Sequence, residues 1–237
     1  MKLLNLLKPK NINENKIRLG ADHDGGYVFP EIIARKCSSL VSYGVGKEIT
    51  FEVDFFNKYN KKVYLFDHTD DFFNKLLFKN ENFFFFKEGL GSSYFCKDFL
   101  THRIEKNIPT DAFLKIDVEG HEYDYFKKVD ILEFSKNCLG FCLEIHELQK
   151  PEIQEKAINI LEKIQIEFDL CHIHGNNFAE LFYYGPVILI DSIELTFINK
   201  KLVKSYSDNI EKYPIEGLDY QNLPGRSEYQ LDFLKYI

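Results

Sequence analysis

Three short stretches set acids and imidazoles where packing has no use for them. Residues 114–126 read "LKIDVEGHEYDYF", an apolar run that stops on Asp117 and Glu119, with His121 just beyond. Residues 143–146, "LEIH", end a second run on Glu144 and His146, and "CHIH" at 171–174 ends a third on His172 and His174. In open α/β sheets, ligands sit beyond the carboxyl ends of the strands, so charges at those tips point to a site rather than to a core. Carboxylates beside imidazoles can move protons, or hold a hard divalent cation such as Mg²⁺ or Mn²⁺. His146 and His174 are the candidate bases, with Asp117, Glu119 or Glu144 orienting an imidazole or holding a cation. His121 joins them as a catalytic candidate, and no ligand set for a metal is assigned. His23, His68 and His102 read as surface or loop histidines.

A second constellation suits a nucleoside. In "YGVG" (43–46), Gly44 and Gly46 lack a Cβ and let backbone pass close to a ligand, and Tyr43 stands with them among the cofactor-binding candidates. Asp67 follows Gly46 by 21 positions, where an acid can accept both hydroxyls of a ribose. The third glycine of the dinucleotide fingerprint is absent, because positions 49 and 50 are Ile and Thr. A pyrophosphate would lack its close-approach turn, whereas adenosine linked to methionine carries no phosphate. Glu88, after the next apolar run, is a further cofactor-binding candidate.

These residues need strands and crossover helices to position them, and the alternation is visible from residue 39. "SLVSYGVG", "KKVYLFD", "NFFFFKE", "DAFLKID" and "CLGFCLEIH" read as five strands. Helices are expected from "EITFEVDFFNKY", "DDFFNKLLF", part of 92–106, "EYDYFKKVDIL" and 151–166. The last has Pro151 at its start and one apolar stripe of Ile153, Ala157, Ile160, Leu161 and Ile164. "FDLCHIH" and "GPVILIDSIELTFI" follow with no helix between them, as antiparallel neighbours would. The expectation is an α/β, Rossmann-like class I methyltransferase fold: a mostly parallel seven-stranded sheet with a terminal antiparallel strand pair. Residues 1–38 read as an N-terminal cover segment, 39–203 as the core and 204–237 as a tail packed on it. "FFFF" at 83–86 reads as a buried strand.

The totals narrow the class. A chain of 237 residues, 45% hydrophobic and 28% charged, suits one sizeable globular domain. Net charge −7 with scattered basic residues lacks the electrostatic footprint of a nucleic-acid binder. No stretch approaches a membrane span, and the apolar part of "MKLLNLLKPK" is too short for a signal peptide. Five cysteines without CxxC spacing indicate neither a disulfide framework nor a zinc ribbon, and fit a reducing cytoplasm.

With these residues placed, the chain resembles the FkbM-type family of S-adenosylmethionine-dependent methyltransferases. "FLKIDVEGHEYDYF" is similar to that family's Lys-Ile-Asp-x-Glu-Gly-x-Glu signature. "RLGADHDGGYVF", "VSYGVGKEITFEVDF", "VYLFDHT", "HIHGNNF" and "LDYQNLPGRSEYQLDF" look like a bacterial subgroup with an Asp-Gly-Gly-Tyr motif. The resemblance implies S-adenosylmethionine as donor and O-methylation, often of sugar hydroxyls in antibiotic, capsule or lipopolysaccharide pathways. It implies that Gly44 and Gly46 face the methionine part of the donor, Asp67 its ribose and Asp117 the region near the sulfonium. Asp24 to Tyr27 would cover the donor. His121 stands where many relatives have a small residue, so the resemblance implies nothing about its imidazole.

The expected activity is methylation of a sugar hydroxyl, on a nucleotide-linked sugar or a precursor of a surface polysaccharide. The small-molecule acceptor would meet a rim that includes Asn176 and Asn177. Three other readings stand beside it: an NAD-type oxidoreductase, a non-catalytic module on a methyltransferase fold, and a metal-dependent hydrolase built on the histidines. Oligomeric state is not legible.

Overall fold

β-branched and aromatic runs with short polar breaks fold into strands because their side chains pack well on a pleated surface. In the computed structural model, which describes residues 1–69, 80–91, 93–208 and 211–236, they do so in this order. Helix α1 (Lys2–Leu6) precedes a hairpin of β1 (Lys16–Leu19) and β2 (Tyr27–Pro30), then α2 (Glu31–Lys36) and β3 (Ser39–Tyr43). Next come α3 (Thr50–Tyr59), β4 (Lys62–Phe66), β5 (Phe83–Phe86), two short strands β6 (Gly89–Leu90) and β7 (Cys96–Lys97), and α4 (Phe99–Glu105). The second half holds β8 (Ala112–Ile116), α5 (Glu122–Lys128), α6 (Ile131–Asn137), β9 (Cys138–Ile145) and α7 (Pro151–Ile164). The last strands are β10 (Phe168–Gly175), β11 (Leu181–Tyr184), β12 (Val187–Ile190) and β13 (Ile193–Asn199). The expected helix "DDFFNKLLF" lies outside the described residues.

Seven strands form one sheet in the order β10-β13-β9-β8-β3-β4-β5. Strands β5, β4, β3, β8 and β9 are mutually parallel. The late β13 slots between β9 and β10 and runs antiparallel to both. This is the Rossmann-like sheet of class I methyltransferases. Strand order reverses at β3, with β4 on one side and β8 on the other, so the switch point falls between the loops after β3 and β8.

Apolar layers cover both faces. Along β3, Val41 and Tyr43 enter one layer and Leu40 the other, as the period of two requires. Helix α7 buries its whole stripe, Ile153 to Ile164, and packs against α5 and α1. At about 1.5–3 kcal/mol per fully buried aliphatic side chain, that stripe rather than helix propensity holds α7 in place.

Four local expectations need correction. "EYDYFKKVDIL" is two helices, α5 and α6, because Val129 and Asp130 are extended and the Asp130 carboxylate accepts from the Leu132 and Glu133 amides as the cap of α6. Phe83–Phe86 is half-buried, since β5 is the edge strand. "GPVILIDSIELTFI" supplies two strands, β12 pairing with β11 and β13 entering the main sheet. His102 is not a surface residue: it lies fully buried on α4, stacked 4.3 Å from the Phe66 ring. Among the described residues no helix is long and apolar enough to cross a membrane.

Candidate functional site

The loops after β3, β4 and β8 and the end of the N-terminal hairpin enclose a cavity of about 470 Å³. Its floor depends on Gly44. The residue has φ +70°, and a Cβ there would stand 1.6 Å from the Asp117 carbonyl oxygen. Only glycine lets the two turns meet at the switch point. Gly46 also has positive φ, and nothing lies within 4 Å of where its Cβ would be.

Asp67 lines the cavity but is turned onto the glycine loop. One carboxylate oxygen accepts from the Gly46 amide (2.9 Å), and the other from the amide and hydroxyl of Thr69 (2.8 and 2.7 Å). It fixes the loop and presents an acid at the strand tip, so a ribose would exchange hydrogen bonds with these donors. His68, read as a surface or loop histidine, is an exposed loop residue and also lines the cavity, as does His121.

Asp117 and Glu119 come into the cavity because β8 ends there. Glu119 is left-handed (φ 51°), Gly120 follows at φ 93°, and the Gly120 amide donates to Glu122. Lys115, one residue inside the strand, is buried and donates to the Gly44 carbonyl (2.8 Å) and to Asp117 Oδ2 (3.1 Å). Tyr27 covers this pair, with its hydroxyl 3.5 Å from the same oxygen. Lys115 and Glu122 were missed at the sequence level. The signal for Lys115 was a lone cation inside an apolar strand, which needs a buried counter-charge.

His146 stands beside the cavity and links the acids. Its Nδ1 is 3.4 Å from Glu122, while Nε2 faces Asp117 (3.7 Å), Glu119 (3.6 Å) and Glu144 (3.5 Å). Glu144 is buried at the end of β9, and its Oε1 accepts from Ser192 (2.6 Å) and Asn176 (2.8 Å). Burial and then the charge of Asp117 raise the Glu144 carboxyl above its ordinary range. Burial alone would lower His146, but the Glu122 hydrogen bond and the surrounding carboxylates outweigh it and raise the imidazole.

Three other candidates lie outside the cavity lining. Tyr43 is wholly buried, stacked 4.9 Å from Phe66 with its hydroxyl 3.0 Å from His102 Nδ1, because side chains alternate and Gly44 takes the turn. Glu88 is drawn away by Lys97, Lys106 and His102. His174 is buried, with Nδ1 on Glu194 (3.0 Å) and Nε2 on Glu228 (2.9 Å), so neither nitrogen can take a proton from an acceptor. Nor are Asn176 and Asn177 an exposed rim. Both are buried, Asn176 holding Glu144 and Asn177 the tail at Leu223 and Arg226.

Residues 218–222 reach the N-terminal hairpin through this region. Asn222 donates to Glu194 (2.6 Å), its carbonyl accepts from the Asp24 amide (3.2 Å), and Asp24 lines the cavity. Arg18 of β1 donates to the Leu218 carbonyl (3.4 Å) and lies over the Tyr220 ring.

No protein-family model matches the chain, and no curated protein does. Among solved structures, it is similar to a fibrillarin pre-rRNA processing protein of Methanococcus jannaschii, with 14% identity over 70% of this chain and 68% of that one and a TM-score of 0.42. An rRNA methylase from Streptococcus thermophilus matches at 14% identity over 71% and 92%, with a TM-score of 0.40. A precorrin-6y C5,15-methyltransferase from Geobacter metallireducens matches at 10% identity over 72% and 87%, with a TM-score of 0.39. Strand order, rather than these distant likenesses, identifies the fold.

Proposed function

We propose that the protein is an S-adenosylmethionine-dependent O-methyltransferase of the FkbM type, acting on a sugar hydroxyl. The observation that carries this reading is the charge of the switch-point cavity. Asp24, Glu48, Glu52, Asp67, Asp117 and Glu119 line it against Lys47 and Lys115. A donor with a sulfonium and an ammonium against one carboxylate is a net cation and suits such a wall. A dinucleotide brings two phosphates into the same acids, which weighs against the NAD-type reading. The signature "KIDVEGHE" supplies Lys115, Asp117 and Glu119 of this wall from one strand end.

When bound, the donor supplies an electrophilic methyl group, which passes to an acceptor oxygen as the sulfonium becomes a thioether and the acceptor loses its proton. Gly44 and Gly46 give the donor a close backbone approach, Asp67 meets the ribose, and Tyr27 and Asp24 cover it. Lys115 holds the Asp117 carboxylate in place beside the reacting groups. A sugar hydroxyl is a poor nucleophile at neutral pH and needs a base or a divalent metal. Glu119, which lines the cavity, and His146 and Glu144, which stand beside it, are the groups placed to meet that need. The acceptor is a nucleotide-linked sugar or a precursor of a surface glycan, by resemblance to the family.

Calorimetric titration of S-adenosylmethionine and its demethylated product tests the donor, followed by a panel of free and nucleotide-linked sugars. Binding of both to wild type is expected. Nicotinamide binding without a response to S-adenosylmethionine would restore the oxidoreductase, and donor binding without turnover on any sugar would favour a non-catalytic module.

A further inference from the structure

His146 Nε2 faces three carboxylates and hydrogen-bonds to none of them. The oxygens of Asp117, Glu119 and Glu144 stand 3.5 to 3.7 Å away, beyond a good hydrogen bond but close enough to share one partner. One donor atom from each of Asp117, Glu119 and His146 lies within 4.8 Å of the others. Ligands that each stand about 2.0–2.2 Å from a common ion are separated by roughly 3–4 Å. From behind, Glu122 faces Nδ1 (3.4 Å), which leaves Nε2 aimed into the cluster. A carboxylate on the far nitrogen of a metal-bound histidine is a recurring outer-shell arrangement.

We infer that Asp117, Glu119 and His146 form a site for one divalent cation of the Mn²⁺ or Mg²⁺ class, with Glu144 beside it, opening onto the proposed donor cavity. Two carboxylates call for a hard ion, and the imidazole shifts the preference from Mg²⁺ towards Mn²⁺. Three protein ligands leave positions for outside oxygens. A neighbouring pair of sugar hydroxyls fits that vacancy in number and hardness, and coordination lowers the pKa of the one that reacts. This acceptor role rests on the methyltransferase reading; the cation site itself does not.

Mn²⁺ alone is the probe, added to metal-free protein and followed by the loss of its free-ion electron paramagnetic resonance signal. One Mn²⁺ per chain is expected, with nitrogen modulation in its spin echo from the imidazole. Glu119 is the most exposed of these acids, so Glu119→Gln should fold normally, and it should weaken binding at least about tenfold. His146→Gln should abolish the nitrogen modulation, Glu122→Gln should weaken binding roughly tenfold, and the remote, exposed Glu133→Gln should change nothing. Absent binding, binding without nitrogen modulation, or equal binding in all variants would overturn the site. Donor titration in chelator, on the same samples, separates the two proposals: donor binding without Mn²⁺ binding sinks only the cation, and the reverse sinks only the donor.

Discussion

His146 and His174 are imidazoles at strand ends, the first half-buried and the second buried, both ringed by carboxylates, and their hydrogen bonding differs. At His174 each nitrogen has a partner at hydrogen-bond distance, 2.9 and 3.0 Å, supplied by β13 and the tail. At His146 three oxygens stand off at 3.5 to 3.7 Å, and one belongs to Glu119, whose side chain is 85% exposed. The His174 cluster is saturated from within the chain, so it can fasten the tail and do little else. The His146 cluster is unsaturated at Nε2 and stands beside the cavity, the arrangement on which the proposed cation site rests. Residue type alone does not separate the two; saturation of the hydrogen bonds does.

The sharpest way to break this contrast is to remove each imidazole and see what is lost. His146→Ala should lower methyl-transfer turnover by about 10²- to 10⁴-fold, the usual worth of a group acting on the acceptor's proton. Donor affinity, read by calorimetry, should stay within roughly threefold. Unchanged turnover would remove His146 from the mechanism. His174→Ala should instead cost about 3–5 kcal/mol in urea unfolding, because Glu194 and Glu228 are left without their shared partner. Turnover of its folded fraction should match wild type, and a selective fall in turnover would erase the distinction between the clusters. A smaller effect sharpens the donor side: Asp67→Ala should weaken S-adenosylmethionine binding by about 1–3 kcal/mol, the range for hydrogen bonds to a charged group plus a looser glycine turn.

The sheet and the switch-point acids were legible because they obey simple periods. Alternating runs marked the strands, the glycines of "YGVG" marked the turn, and the acids of "KIDVEG" sat where β8 had to end. What the sequence hid depends on partners far along the chain. His174 reads like His146 until Glu228, 54 positions away, is brought against it. Tyr43 and Gly44 are neighbours, yet one faces the core and the other the cavity, and only the strand's phase decides which. Glu88 looked like a ligand residue because the lysines that claim it, Lys97 and Lys106, lie beyond an irregular stretch. Asn176 and Asn177 have the composition of an exposed rim but fill buried hydrogen-bonding positions under the tail.

The saturated cluster also makes a prediction about pH. Burial alone would depress the His174 imidazole, but the charge of Glu194 and the hydrogen bonds to Glu194 and Glu228 raise it to about 10. In the unfolded chain a histidine titrates near 6.5, as a general rule. Between those values the native state keeps a proton that the unfolded state has lost, so stability falls as pH rises, by up to about 1.4 kcal/mol per pH unit from this group. Its contribution is complete below the unfolded value and gone above about pH 10. The buried thiols of Cys138, Cys142 and Cys171 are raised by burial as well and pull in the same direction at alkaline pH. The wild-type curve alone therefore does not isolate the histidine. The difference between wild type and His174→Gln does, since the thiols are common to both. That difference should be largest near pH 6 and shrink steadily towards pH 10 in urea unfolding. A difference that is flat with pH would mean that His174 is neutral in the folded protein, bonded to a protonated carboxyl, and that the tail is held without an ion pair.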